Sequence, residues 1–150
     1  MSLSINHLAI RTVDLAATRR FYVEGLGLTD GPRPAFPFPG MWLYSGDATV
    51  SSNAVVHVIG IDPADPEGLK TYLGDRDESS LHGSGAVDHI AFFATGLASM
   101  LNRLSAMSIP VRERTVPGLD LHQVFLDDPN GIVVELNYPA AEKQALSASA

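Results

Sequence analysis

Four residues of metal-ligating type recur at matched positions in the two halves of this chain. Asn6-His7-Leu8-Ala9-Ile10 returns 82 residues later as Asp88-His89-Ile90-Ala91-Phe92. Leu15-Ala16 returns at the same shift as Leu97-Ala98, and Ala54-Val55-Val56-His57-Val58 is answered by Ile132-Val133-Val134-Glu135-Leu136. Each half thus offers one donor on a first strand and one on a last strand: His7 with His57, and His89 with Glu135. Neutral imidazole and carboxylate oxygen are ligands for Zn, Ni, Mn, Co or Fe, and two His plus one carboxylate with open positions support non-haem iron chemistry. A divalent metal ion is therefore the expected cofactor. Glu135 is flanked by Val133, Val134 and Leu136, and a carboxylate in such company is costly to bury without a partner. The chain has no cysteine, which excludes thiolate ligands and a disulfide framework.

Elements of definite type must position these residues. Ile5 to Thr12 alternates, with Leu8 and Ile10 on one face and His7, Ala9 and Arg11 on the other, as a strand does. Asp14 is a helix N-cap, and the apolar spacing from Leu15 runs to a stop at Gly25 and Gly27. Gly31 to Gly40 holds four prolines and cannot be a regular element. Strands are expected over 41–44 and 54–59, with Ala48 to Asn53 the place for an intervening strand. The polar segment from Asp62 to Ser84 reads as a connection with a short helix over 67–72. The second half repeats the order: strand 87–95, helix 97–107, then strands 111–114, 121–126 and 132–138. Asp127-Asp128-Pro129-Asn130-Gly131 is a turn between the last two, and the tail from Ala140 reads as frayed or weakly helical.

The expected architecture is α+β: one domain over 1–150, made of two βαβββ modules at about 4–60 and 86–138, with a connection over about 61–85 and a tail over 139–150. Curled mixed sheets would face a cup-shaped cavity. The length suits a single domain. Ten basic against seventeen acidic residues give a net charge of −7, which disfavours nucleic acid and anionic membranes as partners. No apolar run is long enough for a membrane span. With no secretory pattern at the start, a cytoplasmic protein acting on a small molecule is expected.

These stretches resemble the vicinal oxygen chelate superfamily, which includes glyoxalase I, fosfomycin-resistance proteins and extradiol dioxygenases. The resemblance runs from Ile5 to Tyr138 and is carried by the two His-containing strands and by Phe125-Leu126-Asp127-Asp128-Pro129-Asn130-Gly131 leading into Val134-Glu135-Leu136. It implies that His7, His89 and Glu135 are metal ligands. His57 stands where glyoxalase-like members have a carboxylate ligand, and Phe125 stands where ring-cleaving dioxygenases usually have a tyrosine. The expected function is a glyoxalase-like lyase or isomerase working through a metal-stabilised enolate. The alternatives are a non-haem Fe(II) dioxygenase and a non-catalytic, ligand-sequestering protein of the bleomycin-resistance type.

Glu135 and His122 are the candidate general bases. Arg11, Trp42, Tyr44 and Gln123 are candidate substrate contacts: a cation on His7's face, an aromatic wall, and a polar residue beside His122. Strand alternation turns one of His122 and Gln123 toward the cavity. Arg112 and Arg114 read as solvated charge. The sheet face each module would expose, and the habit of the resembled family, lead us to expect a homodimer.

Overall fold

The computed structural model describes residues 7–62, 64–65, 67–73, 82–84, 89–116 and 120–148. The expected strand starts at Ile5 and Val87 and the Asp75-Arg76-Asp77-Glu78 cluster lie outside the described residues. The chain is α+β and divides into two compact units, residues 1–81 and 82–150, each holding one four-stranded mixed sheet in a βαβββ module.

The first unit runs β1 (Leu8–Thr12), α1 (Leu15–Arg19), β2 (Thr29–Gly31), β3 (Gly40–Tyr44), β4 (Ala54–Gly60) and α2 (Glu67–Leu73). Its sheet order is β1-β4-β3-β2, with β1 parallel to β4 and the other pairs antiparallel. Asp14 caps α1 as expected, its Oδ1 accepting from the Ala17 N–H at 2.8 Å. The helix then widens into a π-turn over Arg20–Gly25, where the consecutive residues Phe21 and Tyr22 are both buried. Gly27 ends it in the left-handed region, with the Leu28 N–H bonded to the Tyr22 carbonyl at 3.0 Å.

One expected strand is misplaced. Ala48 to Asn53 forms a turn and a short 3₁₀ helix, because Asp47 Oδ1 accepts from both the Thr49 N–H at 2.8 Å and its hydroxyl at 2.7 Å. Thr29–Gly31 supplies the strand instead. It is pinned to β3 by the Tyr44 hydroxyl, which donates to the Pro32 carbonyl at 2.6 Å, and Gly31 lies against the Tyr44 ring where a Cβ would collide. Ile10, Thr12, Val56 and Val58 form the buried face of the sheet, tied to α1 by a Thr18-to-Thr12 hydroxyl bond of 3.0 Å. His7, Ala9, Arg11, Trp42 and His57 lie on the other face.

The second unit runs β5 (Ile90–Phe93), α3 (Leu97–Ala106), β6 (Arg112–Val116), β7 (Leu121–Asp127), β8 (Val133–Pro139) and α4 (Ala140–Ala148). The sheet order β5-β8-β7-β6 repeats the first, again with the outer strand parallel to its neighbour. The β7–β8 turn is the expected one: Asp128 Oδ1 accepts the N–H groups of Asn130 and Ile132, each at 2.8 Å, and Gly131 takes φ +77. Val124, Leu126, Val134, Leu136 and Tyr138 make the buried face.

Of the two expectations for the tail, the helical one holds over Ala140–Ala148: α4 is a nine-residue helix held by four tertiary bonds. Its Glu142 carboxylate accepts from the N–H groups of Gly96 (2.9 Å) and Leu97 (2.7 Å), capping α3, whose own N-cap is a glycine without a side chain to do so. Lys143 Nζ meets Glu113 Oε2 at 2.7 Å, and the Ala140 N–H donates to the Asp120 carbonyl at 2.9 Å.

Candidate metal centre

The two sheets carry their ligand-type residues at one and the same register position. In the first, His57 on β4 lies between Ala9 on β1 and Trp42 on β3. In the second, Glu135 on β8 lies between Ala91 on β5 and Phe125 on β7. His7 and His89 stand two residues before those alanines, so strand alternation turns each toward the donor on the adjoining strand. The sequence repeat is thereby a spatial repeat within each unit.

In the first unit the two imidazoles are stacked, centroids 3.7 Å apart and planes 18° from parallel. The other face of His57 is covered by Trp42 at 4.0 Å and 6°. Phe36 stands 6.3 Å from Trp42 and stacks on Phe38 at 5.3 Å. Burial, and next the nearby His7, push the His57 pKa down to about 4, against a weaker upward pull from a backbone hydrogen bond at Ala54. His57 is therefore a neutral ring at pH 7, with a lone pair to offer.

In the second unit the pair is polar. His89 Nε2 stands 3.4 Å from Glu135 Oε2. Glu135 is 5% exposed, and its other oxygen, Oε1, accepts from Gln123 Nε2 at 2.8 Å and Asn137 Nδ2 at 2.6 Å. Gln123 in turn accepts from Arg114 Nε at 2.9 Å, and the guanidinium lies over the Phe125 ring at 5.3 Å.

The donor chemistry of the two pairs can be tested against a divalent ion. Ligand atoms about 2.1 Å from one tetrahedral ion stand about 3.4 Å apart. His89 and Glu135 meet that spacing. The stacked pair does not fit in its present orientation, because imidazole lone pairs lie in the ring planes and nearly parallel planes do not aim at one point. His57 is held on both faces, so His7 is the ring that would have to turn. Among the described residues, no three His, Asp or Glu side chains gather as ligands.

The remaining sequence candidates are sorted by face. Gln123 is on Glu135's face and touches it. His122, the candidate base, is on the opposite face and 2% exposed, bonded through Nδ1 to Thr115 Oγ1 (2.9 Å) and through Nε2 to Glu113 Oε2 (2.8 Å). Adjacent strand residues point to opposite sides, so His122 does not reach the carboxylate. Trp42 is beside His57. Arg11 shares the face but stands opposite Ile59, further along the sheet. Tyr44 is 3% exposed with its hydroxyl engaged at Pro32, so it does not continue Trp42's wall. Sequence reasoning missed Arg114 and Asn137. Alternation from Glu135 already puts Asn137 on its face; Arg114 needed the β6–β7 register, which sets it opposite Gln123.

Residues 4–136 match the Glyoxalase/Bleomycin resistance protein/Dioxygenase superfamily, and the chain belongs to that family. Among solved structures it is similar to a protein from Bacillus anthracis described as of the glyoxalase family, with 19% identity, 93% of this chain and 97% of that one covered, and a TM-score of 0.66. It is also similar to the trypanothione-dependent glyoxalase I of Leishmania major (20% identity, 99% and 95% covered, TM-score 0.63). The genomically encoded fosfomycin resistance protein FosX of Listeria monocytogenes gives 13% identity, 92% and 94% covered, and a TM-score of 0.61. At these identities the structural likeness is one of fold. No curated protein matches the chain in sequence.

Proposed function

We propose that this protein is a metal-dependent enzyme of the vicinal oxygen chelate type, a glyoxalase-like lyase or isomerase acting on a small oxygenated substrate. The observation that carries the reading is the His89–Glu135 pair at ligand spacing, at the register position its repeat gives to His57. His89 and Glu135 would hold a divalent ion, and His7 and His57 are the donor-type residues that the repeat sets at the matching positions of the first unit. A bound ion would act as a Lewis acid on substrate oxygens. The protein's own residues do the rest. Glu135 would serve as the general base in the second unit, while in the first Trp42 would offer an apolar wall and Arg11 a cation for a substrate carboxylate.

A second reading, a ligand-sequestering protein, is favoured by the Trp42, Phe36 and Phe38 array beside a histidine stack that lacks ligand geometry. Elemental analysis of protein purified without chelator separates the two. The enzyme reading expects a stoichiometric divalent metal and turnover on at least one of a panel of hemithioacetals, 2-oxo acids, CoA esters and catechols. Metal-free protein that takes up none on dialysis and binds aromatic ligands would favour sequestration.

A further inference from the structure

The hydrogen-bond chain ending on Glu135 has a direction, and it begins at Arg114. We propose that Arg114 is a positioning residue for Glu135, acting through Gln123, and that it fixes which carboxylate oxygen is presented beside His89. The inference rests on Glu135 being a metal ligand.

A guanidinium has only donors, so Gln123 must turn its carbonyl oxygen to Arg114. Arg114 Nε reaches that oxygen at 2.9 Å, and Nη2 bonds to it as well. The Gln123 amide nitrogen is left to donate to Glu135 Oε1 at 2.8 Å and to Asn137 Oδ1 at 3.1 Å. With its oxygen so used, Asn137 turns its nitrogen to the same Glu135 oxygen, at 2.6 Å. Oε1 is occupied by two N–H donors, and Oε2 is the oxygen that faces His89. Without Arg114 the Gln123 amide loses the partner that fixes its orientation, and its hold on Glu135 Oε1 and on Asn137 loosens. Phe125 supports the guanidinium from below. As a ligand, Glu135 would thus offer Oε2 alone and be restrained from leaving the site.

Arg114→Met, Arg114→Lys and Gln123→Glu test this with two readouts. In metal-free protein the side-chain amide resonances of Gln123 and Asn137 should be protected from solvent exchange, lose protection in Arg114→Met and regain it in Arg114→Lys. Gln123→Glu keeps the Arg114 pairing but removes the donor to Glu135, so Asn137 alone should lose protection. Zn(II) affinity by calorimetry should fall about 10–100-fold in Arg114→Met and Gln123→Glu, and largely recover in Arg114→Lys. Unchanged amide exchange and unchanged Zn(II) affinity in Arg114→Met overturn the proposal. Wild-type protein that shows the protected amides and their loss in Arg114→Met, yet takes up no Zn(II), supports the relay and refutes the metal reading beneath it.

Discussion

The same topological position is occupied by two different kinds of physics in the two units. His57 is an uncharged ring between two other rings, His7 and Trp42. Glu135 is a carboxylate fastened by two amides. A repeated backbone therefore conserves where a side chain stands, and the neighbours decide what it is. In the first unit the surrounding rings strip water from an imidazole, and the neighbouring His7 adds to the effect, so that its affinity for a proton falls. In the second they are donors and compensate a buried charge.

The most severe way to break this contrast is Glu135→Gln. Metal affinity should fall by two orders of magnitude or more, about 3 kcal/mol, since an amide oxygen brings no charge to a divalent ion. The metal-free urea midpoint should move little, because an amide oxygen still accepts from Gln123 and Asn137. Unchanged metal content with a much lower midpoint would make Glu135 structural. Next comes a matched pair, His89→Ala and His57→Ala. The first should weaken metal binding by about 10–100-fold with small effect on folding. The second should do less to the metal and instead cost about 1–2 kcal/mol of stability in lost ring contact. Equal metal losses in both would erase the distinction between the halves.

A smaller effect sharpens it through pH. The fold prefers His57 neutral, so the unfolded chain takes up its proton first. Stability of metal-free protein is intact above the ordinary value of 6.5 and declines as pH falls from there toward about 4. Allowing for the solvent that still reaches the ring, the loss is about 1 kcal/mol, and His57→Asn should flatten it in urea melts taken across that range. The smallest change is a control on the far face of the second sheet. Tyr138 is fully buried, and among the described residues its hydroxyl has no hydrogen-bond partner. Tyr138→Phe should therefore raise the unfolding free energy by up to about 1 kcal/mol and leave metal affinity untouched.

Much of this contrast was legible in the residues. The His7 and His89 strands, the Asp14 cap, the Asp128–Gly131 turn and the correspondence of position between His57 and Glu135 all follow from local pattern and internal repetition. What escaped depends on contacts made at a distance. Thr29-Asp30-Gly31 has no apolar alternation and is held as a strand by its pairing with β3, by the Tyr44 bond to Pro32 and by Arg19 on Asp30. Ala140 onward has weak helical pattern and is ordered by Glu142 and Lys143 meeting partners far back in the chain. His122 and Gln123 alternate visibly, but the side each takes is set by Phe125 lying opposite Glu135. Arg114 looked like surface charge because its partner is chosen by hairpin register.

The cap that Glu142 places on α3 also sets an order of events. Gly96 and Leu97 emerge from the ribosome some 45 residues before the carboxylate that receives their N–H groups. During synthesis α3 begins with an open end, and the second unit is completed only when α4 has followed it out. A nascent chain stalled before Glu142 should accordingly show fast amide exchange at Gly96 and Leu97, and slow exchange once α4 has been released.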